Sequence, residues 1–360
     1  MPQTRLTRSN KLMKKRASEW LAVAGAAVLF CGCATRPQPV LKRQVGESVA
    51  FIGADPAALA YLPSRSGPLR VRSTYQPGPG TVEYVEGRDF SVDYSQGTLR
   101  RTEQSLLPDF RTNLLYGQAD FDHTRFPGFG NGRFFAFVDY SLKRPAAWPV
   151  PAPQTAFLRR TQAKLAAGAA VTIVAFGDSI TAGGDATKPE LIFWNRWATE
   201  LRAKYPAAKV VAENGATGGD STVQGLQRLQ AKVLDRRPDL VLIGFGMNDH
   251  NVSGVPIPQF AANLRQMVER IRKETLAEVV LFSAFPPNPK WKFGSHHMAD
   301  YAEATERVAR ETACAYADVF HNWEAQAARK KPEDILGNNI NHPNDFGHWI
   351  YYRTLSGLGL

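Results

Sequence analysis

From about residue 165 onward the sequence repeats one pattern: a short apolar run, a turn, then a longer segment with apolar residues three and four apart. The runs are Ala170 to Phe176, Lys209 to Ala212, Leu240 to Phe245, Val279 to Phe285 and Ala315 to Val319. Each is short and apolar enough for a strand covered on both faces, the situation of a parallel sheet. Helices are expected between and after them, at about 190–205, 221–235, 257–275, 297–313 and 346–357; in the third, Phe260, Leu264, Met267, Val268 and Ile271 mark one face. Strands alternating with amphipathic helices specify a three-layer α/β/α sandwich with a parallel sheet. Its functional groups are expected at the carboxyl ends of the strands.

The preceding stretch, residues 66–145, obeys a different period. Thr81 to Val85, Phe90 to Tyr94 and Arg133 to Val138 alternate as strands do, and turns rich in Gly and Pro separate them. They predict an all-β domain of sandwich or jelly-roll type. At 360 residues the chain has room for both parts, and 44% hydrophobic residues supply their cores. Residues 34–65, which begin Arg36-Pro37-Gln38-Pro39, are expected to be a tether. Residues 146–160, dense in proline, are expected to be a connector leading into a second domain over 161–360.

At the N-terminus, six basic residues precede the apolar stretch Trp20 to Cys31, which is too short to span a membrane and has the form of an export signal. Residues 1–33 end in Leu29-Phe30-Cys31-Gly32-Cys33, similar to a bacterial lipobox, so Cys33 is the expected lipid attachment point; ordinary cleavage near Ala34 is the alternative. Both readings export the protein, as a periplasmic or cell-surface lipoprotein or a secreted form. Loss of this segment takes the net charge from +11 to about +6, and the remaining basic residues are scattered among acidic ones with no nucleic-acid-binding tract. Cys314 then remains as a small core residue with no intramolecular disulfide partner.

Gly177-Asp178-Ser179 follows the first run of the sheet and sets a hydroxyl where a nucleophile would be rigidly held. On its own the tripeptide fits a helix cap equally well. Three further blocks accompany it: Asn214-Gly215-Ala216-Thr217-Gly218-Gly219-Asp220-Ser221, Gly246-Met247-Asn248-Asp249 and His342-Pro343-Asn344-Asp345. In order and spacing the four blocks resemble the SGNH (GDSL-like) hydrolase family over about residues 165–360. The resemblance implies a serine ester hydrolase that needs no cofactor or metal. Ser179 would be the nucleophile and His342 the base. The N–H groups of Ser179 and Gly219 and the amide of Asn248 would form the oxyanion site, with Asp178 in support. Gly219 is expected to be glycine because the backbone approaches too closely for a Cβ.

One position departs from the family pattern. The family carries Asp three residues before its histidine, and here that position is Asn339. Asn339 is expected to accept the Nδ1–H of His342, selecting its tautomer without contributing charge. Asp345, also expected to cap the last helix, and Asp334 are the carboxylates that could act instead. The resemblance, with export, points to acetyl esters of a polysaccharide. A lipid esterase or a non-catalytic polysaccharide-binding lipoprotein are the alternatives.

Overall fold

Five strands pair in parallel at the centre of the C-terminal half: β8 (Val171–Gly177), β10 (Leu240–Gly244), β11 (Glu278–Phe282) and β12 (Ala315–Ala317), which are mostly apolar and buried, and the edge strand β9 (Val210–Asn214), which is partly exposed. The computed structural model describes residues 40–148 and 153–360. The expected export signal, Cys33 and residues 149–152 of the proline-dense stretch lie outside the described residues.

The strand order is β12-β11-β10-β8-β9. The chain moves outward from β8 to β9, then returns to the other side of β8 to form β10. That reversal leaves a crevice at the carboxyl ends of β8 and β10, where open α/β sheets hold their ligands. Helices α1 (Arg159–Ala166), α3 (Phe193–Lys204), α4 (Thr222–Lys232), α5 (Ile257–Glu274), α6 (Met298–Glu311), α7 (Val319–Ala327) and α9 (Asp345–Ser356) surround the sheet. Contacts run α3 to α9 to α7 and α4 to α5 to α6, consistent with two helical layers. Two single-turn helices, α2 (Ser179–Ala182) and α8 (Pro332–Ile335), lie directly before functional loops.

The strand-rich lobe contains a four-stranded antiparallel sheet, ordered β1-β7-β3-β4, and a three-stranded one, β2-β6-β5. Their elements are β1 (Val40–Ala50), β2 (Ala57–Ala58), β3 (Leu69–Arg72), β4 (Glu83–Tyr84), β5 (Phe90–Asp93), β6 (Thr98–Arg101) and β7 (Phe135–Ala147). Val49, Val71, Phe90, Leu99 and Val138, drawn from both sheets, share one core, as in a sandwich.

Two expectations about the chain's organisation need correction. Residues 34–65 include β1, which pairs with β7 along most of its length and is not a tether. Strand β7 itself runs through Pro145 into the expected connector. The ladder tolerates this because its register shifts between Leu41 and Arg43, leaving the proline in an irregular stretch that requires no N–H donor. The described residues form one compact unit.

The lobe is fastened to the α/β half by buried polar contacts. Glu47 of β1 and Lys330 have fully buried side chains and pair at 2.9 Å. Glu47 also accepts from Tyr140 Oη at 2.6 Å and the Ala60 N–H at 2.8 Å, while Lys330 donates to the Ala58 carbonyl. These bonds offset much of the cost of removing two charges from water, and they make the loss of either partner expensive.

Candidate active site

Ser179 is the first residue of α2, immediately beyond β8. Gly177 must be glycine there, because a Cβ would lie 2.2 Å from the Gly244 carbonyl oxygen on the neighbouring strand. Asp178 caps α2 by accepting the Ile180 N–H at 2.9 Å. Its carboxyl is fully buried, and burial raises its pKa to about 7 despite that bond.

The Ser179 hydroxyl lies 2.8 Å from His342 Nε2, and His342 Nδ1 lies 2.8 Å from Asp185 Oδ2. A carboxylate can only accept, so Nδ1 carries the proton and Nε2 is free to take one from Ser179. The Asp185 side chain is 34% exposed and that of His342 23%. The three residues thus form a continuous hydrogen-bonded chain from a partly open carboxylate to a half-buried hydroxyl.

Asp185 occupies the place expected for Asn339, which is a correction. Asn339 is buried in a left-handed conformation at φ 62°, which asparagine tolerates better than most residues. Its Oδ1 accepts from Asn131 Nδ2 at 3.0 Å, on the side of the strand-rich lobe. Neither alternative carboxylate is hydrogen-bonded to His342. Asp334 accepts the N–H groups of Ala50 and Lys331. Asp345 accepts the Thr187 N–H at 2.9 Å and the Thr187 hydroxyl at 2.7 Å, which anchors the loop two residues beyond Asp185. The cap of α9 is Asn344 rather than Asp345.

Other contacts hold the Asp185 loop. Gly183 ends α2 with a φ of 106°, and the Gly184 N–H donates to the Ser179 carbonyl at 2.8 Å. His348 Nε2 lies 3.1 Å from the Gly184 carbonyl oxygen. Burial lowers the pKa of His348 to about 3, so at neutral pH its ring is uncharged and can donate there. The sequence signal for Asp185 was Gly183-Gly184-Asp185, an acid beyond a flexible turn only six residues after the candidate nucleophile.

On the other side of Ser179, Gly218 approaches closely enough that a Cβ on it would be 3.8 Å from the Ser179 Cβ. Gly219 follows at φ 80°, and no acceptor for its N–H is found among the described residues. A Cβ on Gly219 would meet nothing within 4 Å, so its positive φ, not close approach, requires glycine. Asn248 Nδ2 donates to the Asp220 carbonyl at 2.9 Å, linking the loop after β10 to the loop after β9 and leaving a second amide hydrogen. Asp249 fixes this arrangement by accepting from the Thr222 N–H and hydroxyl and the Gly246 N–H. Burial raises the pKa of Asp249 to about 6.

The GDSL-like Lipase/Acylhydrolase family profile matches residues 175–350, a span that contains every residue of this site. An arylesterase of Vibrio mimicus is 31% identical over 185 residues, covering 51% of this chain and 86% of the arylesterase. Esterase TesA of Pseudomonas aeruginosa is 29% identical over 154 residues, covering 42% of this chain and 72% of TesA. Among solved structures, a two-domain esterase (CEX) active on acetylated mannans, co-crystallized with mannopentaose, matches with a TM-score of 0.47 and 24% identity. That match covers 56% of this chain and 53% of CEX, about half its length. With the arylesterase matched over most of its length and the family profile spanning the whole site, the chain belongs to the GDSL-like lipase/acylhydrolase family of ester hydrolases.

Proposed function

We propose that the chain hydrolyses carboxylic esters through an acyl-enzyme on Ser179, removing small acyl groups, acetyl above all, from a carbohydrate outside the cytoplasm. The observation that carries this reading is the unbroken chain from Ser179 Oγ through His342 to Asp185.

His342 Nε2 takes the Ser179 proton as Oγ attacks the ester carbonyl. The imidazolium that forms is stabilised by the Asp185 carboxylate, so the charge that Asn339 lacks comes from a different loop. The negative charge on the carbonyl oxygen is met by the N–H groups of Ser179 and Gly219 and the spare amide hydrogen of Asn248. Collapse of the tetrahedral species expels the alcohol, which takes the proton from His342. A water molecule, deprotonated by the same ring, then releases the acid from Ser179. Asp178, buried beneath the nucleophile, serves as the cap that orients α2.

A carbohydrate leaving group is supported by the surroundings of Asp185. A cavity of about 380 Å³ borders this residue, and its wall combines the polar Ser73, Thr74, Gln76 and Thr187 with the aromatic Tyr75 and Phe137, a mixture suited to a sugar. Export is supported by the basic and apolar pattern of residues 1–33, with Cys33 as the membrane attachment.

A p-nitrophenyl ester series and a panel of acetylated glycans test the proposal. We expect acetyl esters to turn over fastest, glycans to release acetate, and Ser179→Ala to lose about 10⁶-fold in kcat. Preference for long acyl chains would favour a lipid substrate. Absence of turnover on every ester would favour a binding protein.

A further inference from the structure

Ser179, Gly219 and Asn248 follow strands of the sheet, but His342 does not. It lies in the irregular segment between α8 and α9, so other parts of the chain must hold it. Asn338 Oδ1 accepts the N–H groups of Ile340, Asn341 and His342, at 2.9 Å for the last. The Gly337 N–H donates to the His342 carbonyl at 2.8 Å, closing the turn. Gly337 also lies against Asp185, so closely that a Cβ on it would be 2.3 Å from the Asp185 Cβ. Gly337 therefore touches both members of the His–Asp pair.

Asn131 of the strand-rich lobe holds this segment. It is fully buried, and its N–H donates to the Gly337 carbonyl at 2.7 Å. Its Nδ2 donates to the carbonyls of Leu336 at 3.0 Å and Glu333 at 3.3 Å and to Asn339 Oδ1 at 3.0 Å. Its Oδ1 accepts from Asn113 Nδ2 at 3.1 Å, which fixes which end of the amide faces the loop. Asn288 Nδ2, in the loop after β11, donates to the Asn339 carbonyl at 2.8 Å.

We propose that Asn131 is a positioning residue for the reaction: by seating residues 333–339 it sets the distances from His342 to Ser179 and Asp185. This rests on His342 being the base, and it makes the strand-rich lobe a part of the catalytic apparatus, whatever substrate the lobe contacts. The residue type follows from the geometry. Three oxygens face one nitrogen, so the two amide hydrogens are shared among them, with Glu333 the most distant acceptor, and a carboxylate there is repelled.

The test uses the full chain carrying Asn131→Ala, Asn131→Asp or Asn131→Ser, with Leu99→Val in β6 as a destabilising control in the same lobe. Turnover of p-nitrophenyl acetate, phosphonylation of Ser179 by an organophosphonate and thermal melting are measured on each. For Asn131→Ala we expect kcat and phosphonylation to fall together by about 100-fold with little change in KM, because a displacement of about 1 Å at the reacting groups has that effect. Asn131→Asp should fall further. Asn131→Ser, which keeps one donor, should recover part of the loss, and Leu99→Val should lower the melting temperature without lowering kcat.

If Asn131→Asp does not fold, the Ala and Ser variants carry the comparison. Near-normal kcat in the Ala and Ser variants, with His342→Ala inactive, would overturn the positioning role alone. A fully active His342→Ala would overturn the catalytic reading on which it rests.

Discussion

The parallel sheet and the strand-rich lobe place residues by different means. The sheet fixes Ser179, Gly219 and Asn248 through the ends of β8, β9 and β10, whose paired backbones leave each following loop little freedom. The lobe acts by side chains reaching across the molecule: Asn131 to the segment before His342, Glu47 to Lys330, and Ser48 Oγ to Asn344 at 2.9 Å. The difference shows which part of the site leans on the lobe. Ser179 opens a helix and Gly219 and Asn248 lie in short turns that directly follow strands, whereas His342 sits in an irregular segment that is held from outside the sheet.

The comparison can be broken at either region. Lys330→Met should give the largest change in stability, about 3–5 kcal/mol, because it leaves Glu47 buried without its partner. Urea unfolding measures this, and a second change, Glu47→Gln, should recover much of it. A loss below about 1 kcal/mol, the level of an exposed pair, would mean that the junction is not the fastening described.

Asn248→Ala acts on the sheet side. It should lower kcat about 10²–10³-fold, or about 3–4 kcal/mol in the barrier, with a nearly unchanged melting temperature. A kcat close to wild type would remove Asn248 from the oxyanion site.

A smaller effect is expected from Asp178→Asn. Burial raises the Asp178 pKa from 3.8 to about 7, so the folded state holds this proton more tightly than the unfolded chain. The stability contributed by the protonated form is therefore fully present below about pH 4 and is lost as the pH rises through about 7. The asparagine variant lacks this titration. Its melting temperature relative to wild type should rise between pH 4 and pH 8, and a difference independent of pH would contradict the burial argument.

The sheet was legible in the sequence because a doubly covered strand must be apolar throughout, and its helices announced themselves by spacing. Strand β1 was not. Its Gln44, Glu47 and Ser48 are polar yet buried, and the side-chain partners of Glu47 and Ser48 lie some 90 to 300 positions away, at Tyr140, Lys330 and Asn344. Local periodicity carries no trace of such pairings. For the same reason the sequence pointed to Asn339 and passed over Asp185, whose bond to His342 spans 157 positions. The residue three before the histidine is asparagine for a reason of its own: it takes a left-handed turn and receives a bond from the lobe.

The most direct test of this account is the kcat of Asp185→Asn on p-nitrophenyl acetate, measured beside Asn339→Asp. Asp185→Asn should cost about 10³–10⁴-fold, as expected when the group that orients and charge-stabilises a catalytic histidine is neutralised, and Asn339→Asp should bring no gain. An Asp185→Asn enzyme within about threefold of wild type, or an Asn339→Asp enzyme with clearly raised kcat, would contradict the assignment of Asp185 as the residue that completes the site.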